Sequence, residues 1–208
     1  MRLIVCVLIV LISLTGCTAE PNSDVTKNKN ESTKITLTPV DLFKGDHAKF
    51  QPFLGAMSGA FKLRYEGNKP NAKLDIDIWK NGKKVASSGS IGDLFFSWDE
   101  QASPEVEIMI SVDIASFFEG KDDNIKIKVN TVQDSGHSLV TFTTPWNKGL
   151  TAQGLIEHNE KLTFIAKEPV YLWGMHATST NQIRTADFTP ESLSRLEQAI
   201  IFTLRFED

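Results

Sequence analysis

From Lys34 onward, apolar and polar residues alternate with a period of two, the pattern of strands that bury one face and wet the other. Phe61, Leu63 and Tyr65 alternate with Lys62, Arg64 and Glu66, and Leu74, Ile76 and Ile78 alternate with Asp75 and Asp77. Asn81-Gly82 follows at once. That pair tolerates positive φ at both positions, which predicts a type I′ hairpin turn with 83–88 as the return strand. Val106, Ile108, Ile110, Val112 and Ile114 mark the clearest strand, over 105–114, and Ile125, Ile127 and Val129 alternate with Lys126 and Lys128. The same pattern predicts strands over 138–144, 161–166 and 170–176.

Near the end of the chain the pattern changes. Thr189-Pro190-Glu191 combines a capping hydroxyl, a proline at the first helical position and an acid in the first turn, predicting a helix that persists to about residue 198. Ile200, Phe202, Leu204 and Phe206 then face one way while Thr203 and Arg205 face the other, which is a strand again. Strands separated by turns, with one short helix near the C-terminus, predict a mainly β fold. The expected architecture is an antiparallel β-sandwich of immunoglobulin-like arrangement, with a barrel as the alternative. The outward charges Asp75, Asp77, Glu105 and Glu107 are expected on a solvated face, with Lys126 and Lys128 as cross-strand partners.

The first residues follow another rule. Behind Met1-Arg2 lies an apolar run from Leu3 to Leu14. At about a dozen residues it is shorter than the roughly 20 a helix needs to cross the hydrocarbon core, and it reads as a secretory signal. The run ends at Leu14-Thr15-Gly16-Cys17, which resembles the lipobox of bacterial lipoproteins. The resemblance implies removal of residues 1–16 and a lipid thioether on Cys17, the new N-terminus. Two acyl chains, of the palmitate class, anchor stably where one binds only marginally. Residues 18–34 are polar and nearly free of large apolar side chains, so they are expected to form a disordered tether with a span of about 20–25 Å. The expected organisation is therefore a signal over 1–16, a lipidated cysteine and tether over 17–34, and one sandwich domain over 35–208. The run 27–30, Lys-Asn-Lys-Asn, favours a single-membrane bacterium.

Composition narrows the chemistry. The only other cysteine, Cys6, leaves with the signal, so the domain has neither a disulfide nor a thiolate zinc site. A domain of roughly 170 residues buries close to 70% of its surface and can rest on an apolar core alone. A net charge of −4 with no basic cluster gives no reason to expect nucleic acid. His47, His137, His158 and His176 are scattered, with no zinc signature, and no Gly-x-Ser-x-Gly elbow is present. Glu157-His158-Asn159-Glu160 reads as a solvated turn, 119–124 reads as a hairpin turn without an EF-hand ladder, and Gly89-Ser90-Ile91-Gly92 lacks the lysine of a phosphate loop. No catalytic residue, metal or cofactor is assigned.

Aromatic residues remain. Flat exposed rings on a sandwich stack sugar faces, and Trp98, where an apolar run meets a polar loop, is the first candidate, followed by Trp146. Trp79, beside Asp77, is expected to be partly exposed. In 169–185 an apolar segment holding Trp173 and His176 passes into Thr180-Asn181-Gln182 and Arg184, residue types that orient a polar ligand. The leading expectation is a non-catalytic, extracytoplasmic lipoprotein that meets an envelope protein or supports a structure there. The alternative is a glycan- or small-ligand-binding module using Trp98, Trp146, Trp173, His176 and Arg184. A hydrolase with a spatially assembled site comes third.

Overall fold

The computed structural model describes residues 32–97, 102–114 and 124–207. Its strands are β1 (Lys34–Val40), β2 (Ser58–Glu66), β3 (Ala72–Lys80), β4 (Lys83–Ile91), β5 (Glu105–Asp113), β6 (Asn124–Gln133), β7 (Gly136–Pro145), β8 (Ala152–Glu157), β9 (Leu162–Ile165), β10 (Val170–Thr178) and β11 (Gln198–Phe206). A 3-10 turn (Gly45–Phe50) leads into the single-turn helix α1 (Gln51–Leu54), and α2 spans Pro190–Leu193. The strands form two sheets, in the orders β7-β6-β5-β2-β1-β9 and β4-β3-β11-β10-β8, with every pairing antiparallel. The fold is an antiparallel β-sandwich with two separate sheets. Among the described residues no helix is long and apolar enough to cross a membrane.

The alternation supplies the core directly. Leu37, Leu63, Ile108, Ile110 and Ile127 of the six-stranded sheet are buried with Leu74, Ile76, Met175, Ile200 and Phe202 of the other. Asn81 and Gly82 have φ of 49° and 72°, as the two-residue turn requires. The return strand runs to Ile91, three residues beyond the sequence expectation. It contains two register shifts that re-aim its side chains.

The helix stops earlier than its sequence pattern suggests. Thr189 caps α2 by accepting from the Ser192 amide, but the helix ends at Leu193. Beyond it, the carbonyls of Leu196 and Glu197 accept from the amides of Gly82 and Asn81 at 2.8 and 2.9 Å. The hairpin turn thus draws the chain into β11 before a second helical turn can close.

Two expectations about charge are corrected. Glu105 and Glu107 are met by Lys62 of β2, at 3.0 and 3.7 Å, while Lys126 and Lys128 stand opposite Asp113 and Ser111. Asp77 is not solvated but fully buried (0% exposed). Its Oδ2 accepts from Thr203 Oγ1 at 2.9 Å and Arg205 Nη2 at 3.0 Å, and Lys84 Nζ lies 2.6 Å from Oδ1. Arg205 Nε also donates to Asp75 at 2.7 Å. A buried carboxylate persists only when charges and donors surround it, and three side chains do so here.

Candidate functional site

The outer face of the five-stranded sheet is covered. The stretch 179–197 crosses it, and Leu193 and Leu196 pack on Ile156, Ala199 and Ile201 in a second small core. Trp79, Tyr171 and Phe188 join this cluster, with Trp79 edge-on to Tyr171 at 5.8 Å. Trp79 is therefore half-buried under the cover and does not form an open stacking face.

Beside this cluster the cover leaves a cavity of about 550 Å³ that His176, Thr180, Gln182, Arg184, Glu191 and Arg195 help to line. His176 is carried on β10 opposite Ala199 of β11 and Gly154 of β8. It is 7% exposed, and its side chain makes no hydrogen bond, ion pair or ring contact among the described residues. A Cβ on Gly154 would stand 3.1 Å from His176 Nε2 and 3.2 Å from Ile183 Cδ1, so the glycine is what seats the ring. Burial pushes the imidazole below its ordinary pKa and keeps it neutral, leaving one donor and one acceptor.

The rim is tied down by two carboxylates. Glu197 Oε2 accepts from the Ser179 amide at 2.8 Å, Thr178 Oγ1 at 2.9 Å and Ser179 Oγ at 3.1 Å. Asp187 Oδ1 accepts from the amide and hydroxyl of Thr189. These donors hold both carboxyls below the usual carboxylate range. His176 and Arg184, both expected from sequence to orient a ligand, thus line one cavity. Arg195 and Glu191 were not foreseen. They enter from the α2 segment, whose position over the sheet is a tertiary fact.

The tryptophans are distributed differently. Trp173 is 2% exposed and Trp146 is 4% exposed, so neither offers a face for a sugar. Trp98 and Cys17 lie outside the described residues. Register shifts at Tyr171/Trp173 place Leu172 and Trp173 together in the core, where Trp173 meets Phe202 edge-on at 5.4 Å. The Trp173 indole then reaches across the sandwich to β2. Its Nε1 donates to Glu157 at 2.8 Å, and a Cβ on Gly59 would lie only 2.1 Å from that nitrogen. Glu157 and His158 are consequently interlocking groups as well as turn residues. His158 Nε2 lies 2.8 Å from the Tyr171 carbonyl, and its ring is 5.0 Å from Phe188.

A third feature follows β1. The segment from the 3-10 turn through α1 buries none of its side chains. Phe53 is 83% exposed and Phe50 is 47% exposed, with Lys49 Nζ 5.5 Å from the Phe50 ring centre. The segment is nevertheless anchored, because the Leu54 carbonyl accepts from Ser58 Oγ at 2.6 Å and Ser111 Oγ at 2.7 Å. Sequence alternation does not reveal this tip, since Phe50 and Phe53 lie in a stretch with no period.

No family model, curated protein or solved structure matches the chain.

Proposed function

We propose that this chain is an extracytoplasmic lipoprotein, held to the cell membrane by acyl chains on Cys17, whose sandwich is a non-catalytic protein-interaction module. The lipobox-like Leu14-Thr15-Gly16-Cys17 supports the anchor. The observation that carries the interaction is the anchored tip with Phe53 and Phe50 in solvent. The tether joins β1 at Lys34 and the tip follows β1 at Val40, about 23 Å away at roughly 3.3 Å per residue. The aromatic pair thus follows the end of β1 that lies away from Lys34. Lys44 precedes the 3-10 turn, and His47 and Lys49 lie within it beside Phe50, with Asp46 as the single acid of that turn, which suits an envelope protein with an apolar cleft and an acidic rim.

Two experiments test this. Metabolic labelling with an alkynyl palmitate should mark the parent and not Cys17→Ser; equal labelling removes the anchor. A photo-crosslinking residue at position 53, compared with one at exposed Val85, should give one discrete adduct in cells from position 53 alone. That adduct should be lost when Lys44 and Lys49 are both changed to Glu. No adduct from position 53, or the same adducts from both positions, overturns the tip as the interaction surface.

A further inference from the structure

Charge around the cavity under the 179–197 cover is of both signs. Arg184 and Arg195 line it, and neither guanidinium has an ion-pair partner among the described residues. Asp187, Glu191 and Glu197 line the same space. The hydrogen bonds that Thr189 gives Asp187 run to Oδ1, and those of Glu197 run to Oε2, which leaves Glu197 Oε1 for a further donor. The Glu191 carboxylate has no partner among the described residues. A simple anion would meet two guanidiniums but also three carboxylates, and a simple cation would meet the reverse. A molecule carrying both charges a few ångströms apart satisfies both sets.

We infer that this cavity binds a small zwitterion of the free amino-acid or short-peptide class. Its carboxylate is held by Arg184 and Arg195, and its ammonium by the carboxylates of Glu191, Asp187 and Glu197. Paired guanidinium donors match a carboxylate in both geometry and charge. His176, more than nine-tenths buried and without a protein partner, supplies a donor and an acceptor at the floor for the body of the ligand. A volume of about 550 Å³ falls within the range of small-molecule sites and holds a molecule of this size.

The test uses the full lipidated chain in detergent, titrated calorimetrically with the proteinogenic amino acids, their D forms and the alanyl-alanine dipeptides. At least one should bind, and its C-amidated and N-acetylated derivatives should each bind about tenfold more weakly or worse, as loss of one charge-assisted contact implies. Arg184→Gln and Arg195→Gln should weaken binding to a similar degree. Both side chains are exposed and unpaired, so thermal unfolding should stay at the parent temperature and show the fold intact. Three results overturn the inference. They are no binding across the panel, a derivative lacking one charge that binds as well as its parent, or arginine variants that bind like the parent.

Discussion

Gly59 leaves no room for a side chain beside Trp173 of the facing sheet, and Gly59→Ala should destabilise the fold well beyond the usual effect of adding one methyl group. The added carbon would stand 2.1 Å from Trp173 Nε1, 2.8 Å from Trp173 Cδ1 and 2.7 Å from Glu157 Oε1. Trp173 is buried and braced edge-on by Phe202, so the ring cannot retreat without disturbing the core. Overpacking of this kind costs about 1–3 kcal/mol. Displacing the indole also breaks its 2.8 Å hydrogen bond to Glu157. A bond to a charged acceptor contributes about 1.5–3 kcal/mol, and the lower end applies because the exposed Glu157 carboxylate regains water. The combined loss is about 2.5–4.5 kcal/mol, or roughly 5–18 °C in melting temperature for a domain of this size. Guanidinium unfolding followed by circular dichroism measures it. A second variant separates the clash from a backbone effect. Trp173→Leu should cost less in the Gly59→Ala background than in the parent, because the leucine relieves the crowding. Gly59→Ala unfolding within about 0.5 kcal/mol of the parent, the range of an ordinary surface change, would refute the close approach.

Two further predictions concern buried polar groups. Arg205→Met removes a donor from both Asp75 and Asp77 while Thr203 and Lys84 still hold Asp77. The expected loss is about 2–3 kcal/mol in urea unfolding, and a variant as stable as the parent would show that Lys84 and Thr203 suffice. His176 titrates below its ordinary value in the folded chain because it is buried. Between the folded and unfolded values the unfolded chain binds more protons, so this contribution is complete above the unfolded value of about 6.5 and declines as pH falls through it. Melting temperatures from pH 7.5 down to 5.5, as the chosen assay window of about two units around that value, should fall more steeply for the parent than for His176→Gln. Superimposable slopes would mean that the imidazole is not desolvated.

The local pattern was sufficient for the strands with the cleanest alternation. The apolar residues of 61–65, 74–78, 105–114 and 125–129 face the core as their alternation predicts, because a period of two permits only one assignment of faces. The Asn81-Gly82 turn and the Thr189 cap were legible for a similar reason, since each depends on the backbone preference of one or two residues. What depended on distant partners was not legible. Asp77 reads as a solvated charge until Arg205 and Thr203 of β11 and Lys84 of β4 close over it. Trp173 reads as a candidate surface ring, yet a register shift turns it inward and a glycine more than a hundred positions earlier makes room for it. His176 and Arg184 could be named from the sequence, but the cavity they share exists only because 179–197 folds back over the sheet and brings Glu191 and Arg195 with it. Periodicity therefore determined the faces of the strands that alternate cleanly, whereas β8 and the inward turn of Trp173 were not legible in it. Only the tertiary structure decided which charges are buried and which side chains share a cavity, because burial depends on what packs over a residue and sequence spacing does not record it.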